Sequence, residues 1–310
     1  MHRVIRFTLL LAAIHAPFSL HSGAQQPAAP AKTTPAAVGS TDPSLKDQLH
    51  LPVPRDPNLP TLWLVGDSTV RNGHGDGAGG QWGWGEPIVQ FFDTSKINVV
   101  NRAIGGRSSR TYITEGHWND TLAMMKPGDF MLVQMGHNDG GALDDTSRAR
   151  GTLPGVGKDS KEIENPILKR HETVHTYGWY LRQYVEQAKA KGVTVEMCTL
   201  IPRKIWKDGK VVRDSATYAG WARAVAEQEQ IGLIDLNEIV AREYDAMGEQ
   251  AVEPLFADPH THTSAAGALI NAKAVILGLK LLQPDPLEPY FSAAGKQLPV
   301  MPAPLMNAVQ

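Results

Sequence analysis

Ser68 stands in Gly66-Asp67-Ser68-Thr69, directly after the apolar run Leu62-Trp63-Leu64-Val65. A serine hydroxyl can act as a nucleophile, but at its own pKa it is weak and needs a base. Far down the chain, Asp258-Pro259-His260-Thr261-His262-Thr263-Ser264 holds two imidazoles, the side chains best suited to take a proton near neutral pH. His262 precedes an expected helix, whose positive end favours the neutral ring. Asp258 is placed to receive the other ring N–H and fix the tautomer. Donors for a developing oxyanion are available in two further turns. One is Asn101-Arg102-Ala103-Ile104-Gly105-Gly106-Arg107-Ser108-Ser109-Arg110, where the Gly106 amide can approach a ligand closely. The other is Gly136-His137-Asn138-Asp139-Gly140-Gly141, where the Asn138 amide can donate; one such donor is worth roughly 3 kcal/mol. Arg107 and Arg110 are candidates for a carboxylate of the substrate, since Arg binds carboxylates in a bidentate way. Trp84 and His137 join them as candidate substrate contacts, and Trp82 and Trp118 are further candidate sugar platforms.

Each feature alone also fits a plainer reading: a strand-to-helix turn at Gly66, a tight turn at Gly105-Gly106, a polar turn at Asn138, a helix cap with solvated histidines at 260–264. Their positions give them joint weight. Apolar runs bounded by turn signals read as buried strands at Thr61–Val65, Ile97–Arg102, Asp129–Met135, Val193–Leu200 and Gly232–Leu236. Helical patterns fall at Glu86–Phe92, Thr114–Met125, His171–Lys191, Ser215–Gln230, Leu236–Met247 and Ser264–Leu282. Such alternation implies a parallel sheet covered by helices on both faces. The chemical turns follow the first three strands and precede the last helix, the edge where an open α/β sheet gathers its ligand loops. Residues 137–170 show no clear element, and a loop that long is uncommon unless functional. Gly75, Gly77 and Gly80 match the spacing of a dinucleotide fingerprint but do not directly link a strand to a helix, so we read a flexible loop.

Composition narrows the class. The chain has 310 residues with 42% hydrophobic and 20% charged, a globular composition, and a net charge of -2 that argues against nucleic-acid binding. A single cysteine, Cys198, excludes an intrachain disulfide and a cysteine-built metal site. His-x-His is a metal spacing, but no further ligand group accompanies it. Arg3 and Arg6, the apolar segment Phe7 to Ile14 and the small residues Ser22-Gly23-Ala24 read as an export signal cleaved near Ala24. The apolar segment falls short of the about 20 residues a membrane span needs. The expected organisation is a signal over 1–24, an Ala/Pro-rich linker over 25–57, a catalytic domain over 58–283 and an irregular Pro-rich tail over 284–310. The destination would be periplasmic or extracellular.

As a set, Gly66-Asp67-Ser68-Thr69, Ala103-Ile104-Gly105-Gly106-Arg107-Ser108, Gly136-His137-Asn138-Asp139-Gly140-Gly141 and His260-Thr261-His262-Thr263-Ser264 resemble the SGNH (GDSL-like) hydrolases, and within them the rhamnogalacturonan acetylesterase branch. The resemblance covers about residues 60–282. It implies a flavodoxin-like α/β/α sandwich with five parallel strands, and Ser68 as nucleophile. It further implies an oxyanion hole from the Ser68 and Gly106 amides and the Asn138 side chain, and His262 as base with an Asp partner. No cofactor and no metal are implied. The expected protein is a secreted, monomeric serine esterase removing acetyl groups from pectin-like polysaccharide. One departure stands out: the family usually spaces its acid and base as Asp-x-x-His, whereas Asp258 lies four residues before His262. Either Asp258 bulges outward to reach His262, or His260 is the base, or a backbone carbonyl orients the ring. Rival functions are another short-chain or lipase-like ester chemistry on the same site, a catalytically dead glycan-binding domain, and a nucleotide oxidoreductase resting on the glycine fingerprint.

Overall fold

The structure is a computed structural model that describes residues 50–72 and 75–299. The expected export signal and linker residues 25–49 lie outside the described residues.

The five expected strands all form, as β1 (Thr61–Gly66), β2 (Asn98–Asn101), β3 (Phe130–Gln134), β6 (Thr194–Cys198) and β9 (Gly232–Ile234). They build one parallel sheet in the order β2-β1-β3-β6-β9. Every residue of β1 is buried, which is why its sequence is an unbroken apolar run. Because successive side chains point to opposite faces, its residues divide between two cores. Leu62 and Leu64 join Leu132, Cys198 and Ile234 on one face. That face is covered by α5 (Leu236–Met247) and α7 (Ala265–Leu279). Trp63 and Val65 join Met131, Val133, Val195 and Met197 on the other. Its cover comes from α1 (Ser109–Thr114), α2 (His117–Met124), α3 (Tyr177–Ala190) and α4 (Tyr218–Glu229). This is the three-layer α/β/α architecture that the resemblance implies. Strand order reverses between β1 and β3, so a crevice opens at their carboxyl ends. Among the described residues, no helix is long and apolar enough to cross a membrane.

Several elements differ from expectation for local reasons. The helix expected at 114–125 begins only at His117, as α2, because Gly116 takes a left-handed φ of 83° and separates it from α1. α1 starts early, at a reciprocal cap in which the Ser108 side chain accepts from the Thr111 amide and the Thr111 hydroxyl from the Ser108 amide. The helix expected from His171 begins only at Tyr177, where Thr176 caps it through the Trp179 amide. Residues before it form β5 (Arg170–His175), which pairs antiparallel with β4 (Ser160–Asn165). The supposedly featureless 137–170 segment therefore carries half of a hairpin. A second, two-residue hairpin, β7 (Trp206–Lys207) with β8 (Lys210–Val211), follows β6. The 86–92 segment is a 3-10 turn at Pro87–Phe91, and α6 (Glu249–Val252) precedes the histidine loop.

Both ends of the described chain are held against the domain. Arg102 Nη1 donates to the Leu51 and Pro52 carbonyls (3.2 and 3.1 Å), and Asn98 Nδ2 to the Asp56 carbonyl (2.7 Å). From Pro284 to Pro299, the described part of the expected irregular tail, the chain is ordered; residues 300–310 lie outside the described residues. It forms a 3-10 turn at Glu288–Tyr290 and α8 (Ala293–Gln297), buries Leu287 and Phe291, and sets the Phe291 ring, tilted, 5.5 Å from that of Phe92. Tyr290 and Leu298 also pack against the same core.

Candidate active site

The turn after β1 is built to hold Ser68 still. Asp67 Oδ1 accepts from the Thr69 amide (2.9 Å) and the Thr69 hydroxyl (2.8 Å). That hydroxyl accepts from Gln134 Nε2 (2.6 Å), at the end of β3, and Gln134 Oε1 accepts from Trp84 Nε1 (2.9 Å). A buried chain of hydrogen bonds thus runs from Trp84 to the residue before Ser68. Gly66 is required by space: a Cβ there would come within 2.4 Å of Val70 Cγ2 and 2.8 Å of the Gln134 carbonyl.

His262 arrives from the loop before α7, pinned on both sides. The Trp82 amide donates to the Thr263 carbonyl (2.8 Å), the Thr263 hydroxyl to the Trp82 carbonyl (2.8 Å), and the Ala257 amide to the His262 carbonyl (2.9 Å). Its Nε2 lies 2.8 Å from Ser68 Oγ and its Nδ1 2.5 Å from Asp258 Oδ2. Asp258 Oδ1 accepts three backbone N–H groups, from His260 (3.0 Å), Thr261 (2.7 Å) and His262 (3.0 Å). Burial alone would raise the Asp258 pKa; the Thr261 and His262 amides and the imidazole outweigh it and bring it down to about 2. The carboxylate is therefore ionised at any working pH and confines the ring proton to Nδ1, leaving Nε2 to accept from Ser68. The exposed His260 ring instead meets the Thr261 hydroxyl (2.6 Å).

The third component is a set of donors. Gly106 has a left-handed φ of 78°. Among the described residues, neither its amide nor that of Ser68 has a protein acceptor. Asn138 Nδ2 donates one N–H to the Arg107 carbonyl (2.9 Å), which fixes the amide plane and leaves its second N–H uncommitted. Asp139 is fully buried and binds the Ser109 amide (3.1 Å) and hydroxyl (2.5 Å), tying the Asn138 turn to the start of α1. Burial, only partly offset by Ser109, raises its pKa to about 7. Serine, oriented imidazole and converging donors are the parts needed for acyl transfer through a tetrahedral intermediate.

Three of the four candidate substrate contacts do other work. Arg107 is buried and pairs with Glu115 (2.9 Å). Arg110 is inaccessible: its Nε and Nη2 grip both oxygens of Glu172 on β5 (2.7 and 2.8 Å), and Nη1 donates to the Leu143 and Gly151 carbonyls (2.9 and 2.8 Å). Trp84 is inaccessible and belongs to the chain behind Ser68. Trp118 is likewise buried, with Nε1 on Gln187 (2.9 Å). In each case burial removes the group from a ligand's reach. Of the three candidate tryptophans, Trp82 keeps partial exposure beside Thr263. A Cβ at Gly77 would lie 2.4 Å from its ring, so that glycine of the fingerprint serves packing on an indole. His137 lines a cleft beside the site, with both ring nitrogens shielded and unpartnered, and burial lowers its pKa to about 4. Sequence reasoning missed Arg150, whose Nη1 holds the Gly106 carbonyl (3.0 Å), and Arg203 on the cleft rim. An arginine in a polar loop carries no signal of its own; only the folding of 137–159 and 199–205 beside the site reveals either.

Residues 64–270 match the GDSL-like lipase/acylhydrolase family. The chain belongs to that family. It is 30% identical to a rhamnogalacturonan acetylesterase of Emericella nidulans over 70% of this chain and 83% of that one. It is 33% identical to a probable rhamnogalacturonan acetylesterase of Bacillus subtilis over 71% of this chain and 93% of that one. A crystal structure of the Bacillus subtilis protein YxiM superposes with a TM-score of 0.58 at 26% identity, covering 72% of this chain and 56% of the longer YxiM chain. The fold and the enzyme class, a GDSL-like carboxylic ester hydrolase, therefore agree with the resemblance read from the motifs.

Proposed function

We propose that this GDSL-like hydrolase is an exported acetylesterase that removes O-acetyl groups from a pectin-like, rhamnogalacturonan-type polysaccharide. The observation that carries the reading is the continuous contact from Asp258 through His262 to Ser68 Oγ, at 2.5 and 2.8 Å. The named activities of the two curated relatives support the acetyl group and the polysaccharide. The sequence pattern up to Ala24 supports export.

In this mechanism Ser68 Oγ attacks the acetyl carbonyl carbon while His262 Nε2 takes the hydroxyl proton. The carbonyl oxygen becomes an oxyanion held by the Ser68 and Gly106 amides and the free N–H of Asn138. Collapse breaks the bond to the sugar oxygen, which leaves with the proton from His262. A water then repeats the sequence on the acetyl-serine, giving its proton to His262 and releasing acetate and free Ser68. Asp258 stays ionised and stabilises the transient imidazolium.

The test is acetate release from acetylated rhamnogalacturonan. Ser68→Ala should lower kcat by at least about 10³-fold, as loss of a nucleophile does; undiminished turnover would end the esterase mechanism. Wild-type enzyme active on acetylxylan but not on the pectic polymer would reject the substrate alone. N-terminal sequencing of secreted protein should begin just after Ala24.

A further inference from the structure

A cleft of about 260 Å³ opens beside the site, between the turn after β3 and the β7–β8 hairpin. It is continuous with the catalytic loops at two points. His137 in its wall is the neighbour of Asn138, and on its rim the Lys204 amide donates to the His260 carbonyl (2.9 Å). Its outer wall is apolar: Ile205 and Val212, each 44% exposed, are two of the four exposed large hydrophobic side chains among the described residues. Opposite them stands the partly exposed Tyr218, with Gly136 and Gly140 packed beneath it.

Among the described residues, the cleft lining carries one guanidinium without an ion pair, Arg203, and one carboxylate, Asp214, which feels the Arg203 charge. Arg203 is exposed, and its hydrogen bond runs from Nη2 to the His137 carbonyl (3.3 Å); among the described residues it has no ion pair. The second arginine lining the cleft, Arg213, is engaged by Glu238 (3.2 Å) and Asp245 (2.7 Å). The one carboxylate there, Asp214, is bound by the Thr217 hydroxyl and by the amides of Tyr218 and Ala219 at the start of α4. His137 stays neutral because it is buried. An unpaired guanidinium over an apolar wall suits a sugar ring that bears a carboxylate.

We infer that this cleft is a subsite for a uronate unit of the polysaccharide, its ring against Ile205, Val212 and Tyr218 and its carboxylate on Arg203. The inference rests on the pectic substrate proposed above. It also gives that substrate a physical basis: the anionic backbone is held one subsite away from the acetyl group that reacts. A neutral polymer fills the same wall without the ion pair.

The experiment compares KM for acetylated rhamnogalacturonan with KM for acetylxylan, in wild type, Arg203→Ala and Arg203→Lys. Arg203→Ala should raise the ratio of acidic to neutral KM about tenfold, with kcat on the acidic polymer within about threefold, the pattern of lost ground-state binding. Arg203→Lys should recover part of the ratio, since charge remains without the bidentate fork. The salt dependence of KM for the acidic polymer should weaken in Arg203→Ala. An unchanged ratio in Arg203→Ala, with wild type active on the pectic polymer, overturns the subsite and leaves the proposed function standing. A wild type that does not act on the acidic polymer overturns both. A loss of kcat equal on both polymers means the arginine supports the loop, and also overturns the subsite.

Discussion

Asp258 lies four positions before His262, one step more than the family usually shows, and the extra residue is absorbed by the carboxylate itself. Asp258 Oδ1 gathers the amides of residues 260, 261 and 262 into a tight turn, which leaves Oδ2 facing His262 Nδ1. One carboxylate thus shapes the loop through Oδ1 and orients the ring through Oδ2. Asp258→Asn would keep much of the turn but permit the wrong tautomer, so kcat should fall on the order of 10³- to 10⁴-fold with KM little changed. His260→Ala should keep kcat within about threefold, because its ring points to Thr261. Steady-state kinetics on 4-nitrophenyl acetate separate the two; a larger loss in His260→Ala would reassign the base.

At the scale of elements, the Arg110–Glu172 pair is the tie between α1, which follows the Gly106 turn, and the β4–β5 hairpin. Both partners are buried, and the arginine also satisfies two loop carbonyls. Arg110→Ala would strand a buried carboxylate and should cost about 3–5 kcal/mol of stability, read as a lowered Tm. Replacing both residues by apolar ones should cost less than that single change. If Arg110→Ala instead raised KM for the acidic polymer at unchanged Tm, the arginine would belong to the substrate after all. Asp139 works in the same way at shorter range, holding the Asn138 turn to the first residue of α1.

At the scale of the molecule, three carboxyl groups among the described residues carry pKa values near 7 chiefly because they are buried: Glu86, Asp139 and Glu196. In the unfolded chain such groups titrate near 4. Between about pH 4 and 7 the folded state therefore holds more protons than the unfolded state, and stability falls as pH rises. Asp258, with its pKa lowered to about 2, acts in the opposite sense, but only as the pH drops below about 4. Tm should be higher at pH 5 than at pH 8. Glu196→Gln, a change on β6 outside the catalytic turns, should narrow that difference. A Tm that is higher at pH 8 would contradict the assignment.

The central sheet and the four chemical turns were legible in the sequence because they rest on local signals. Fully buried parallel strands need continuous apolar runs, as at Leu62–Val65, and turns that bring backbone close to a ligand need glycine, as at Gly106. These signals survive in one dimension. The choice of arginine did not. Arg107 and Arg110 sit within the motif, while Arg150 and Arg203 sit in plain loops, yet the first two are folded inward onto Glu115 and Glu172 and the last two face the site or its cleft. The choice between His260 and His262 was also open until the loop closed around Asp258. A guanidinium or an imidazole is chemically the same wherever it stands in the chain. Whether it meets a ligand depends on which partners long-range packing has already given it, and only the tertiary structure decides that.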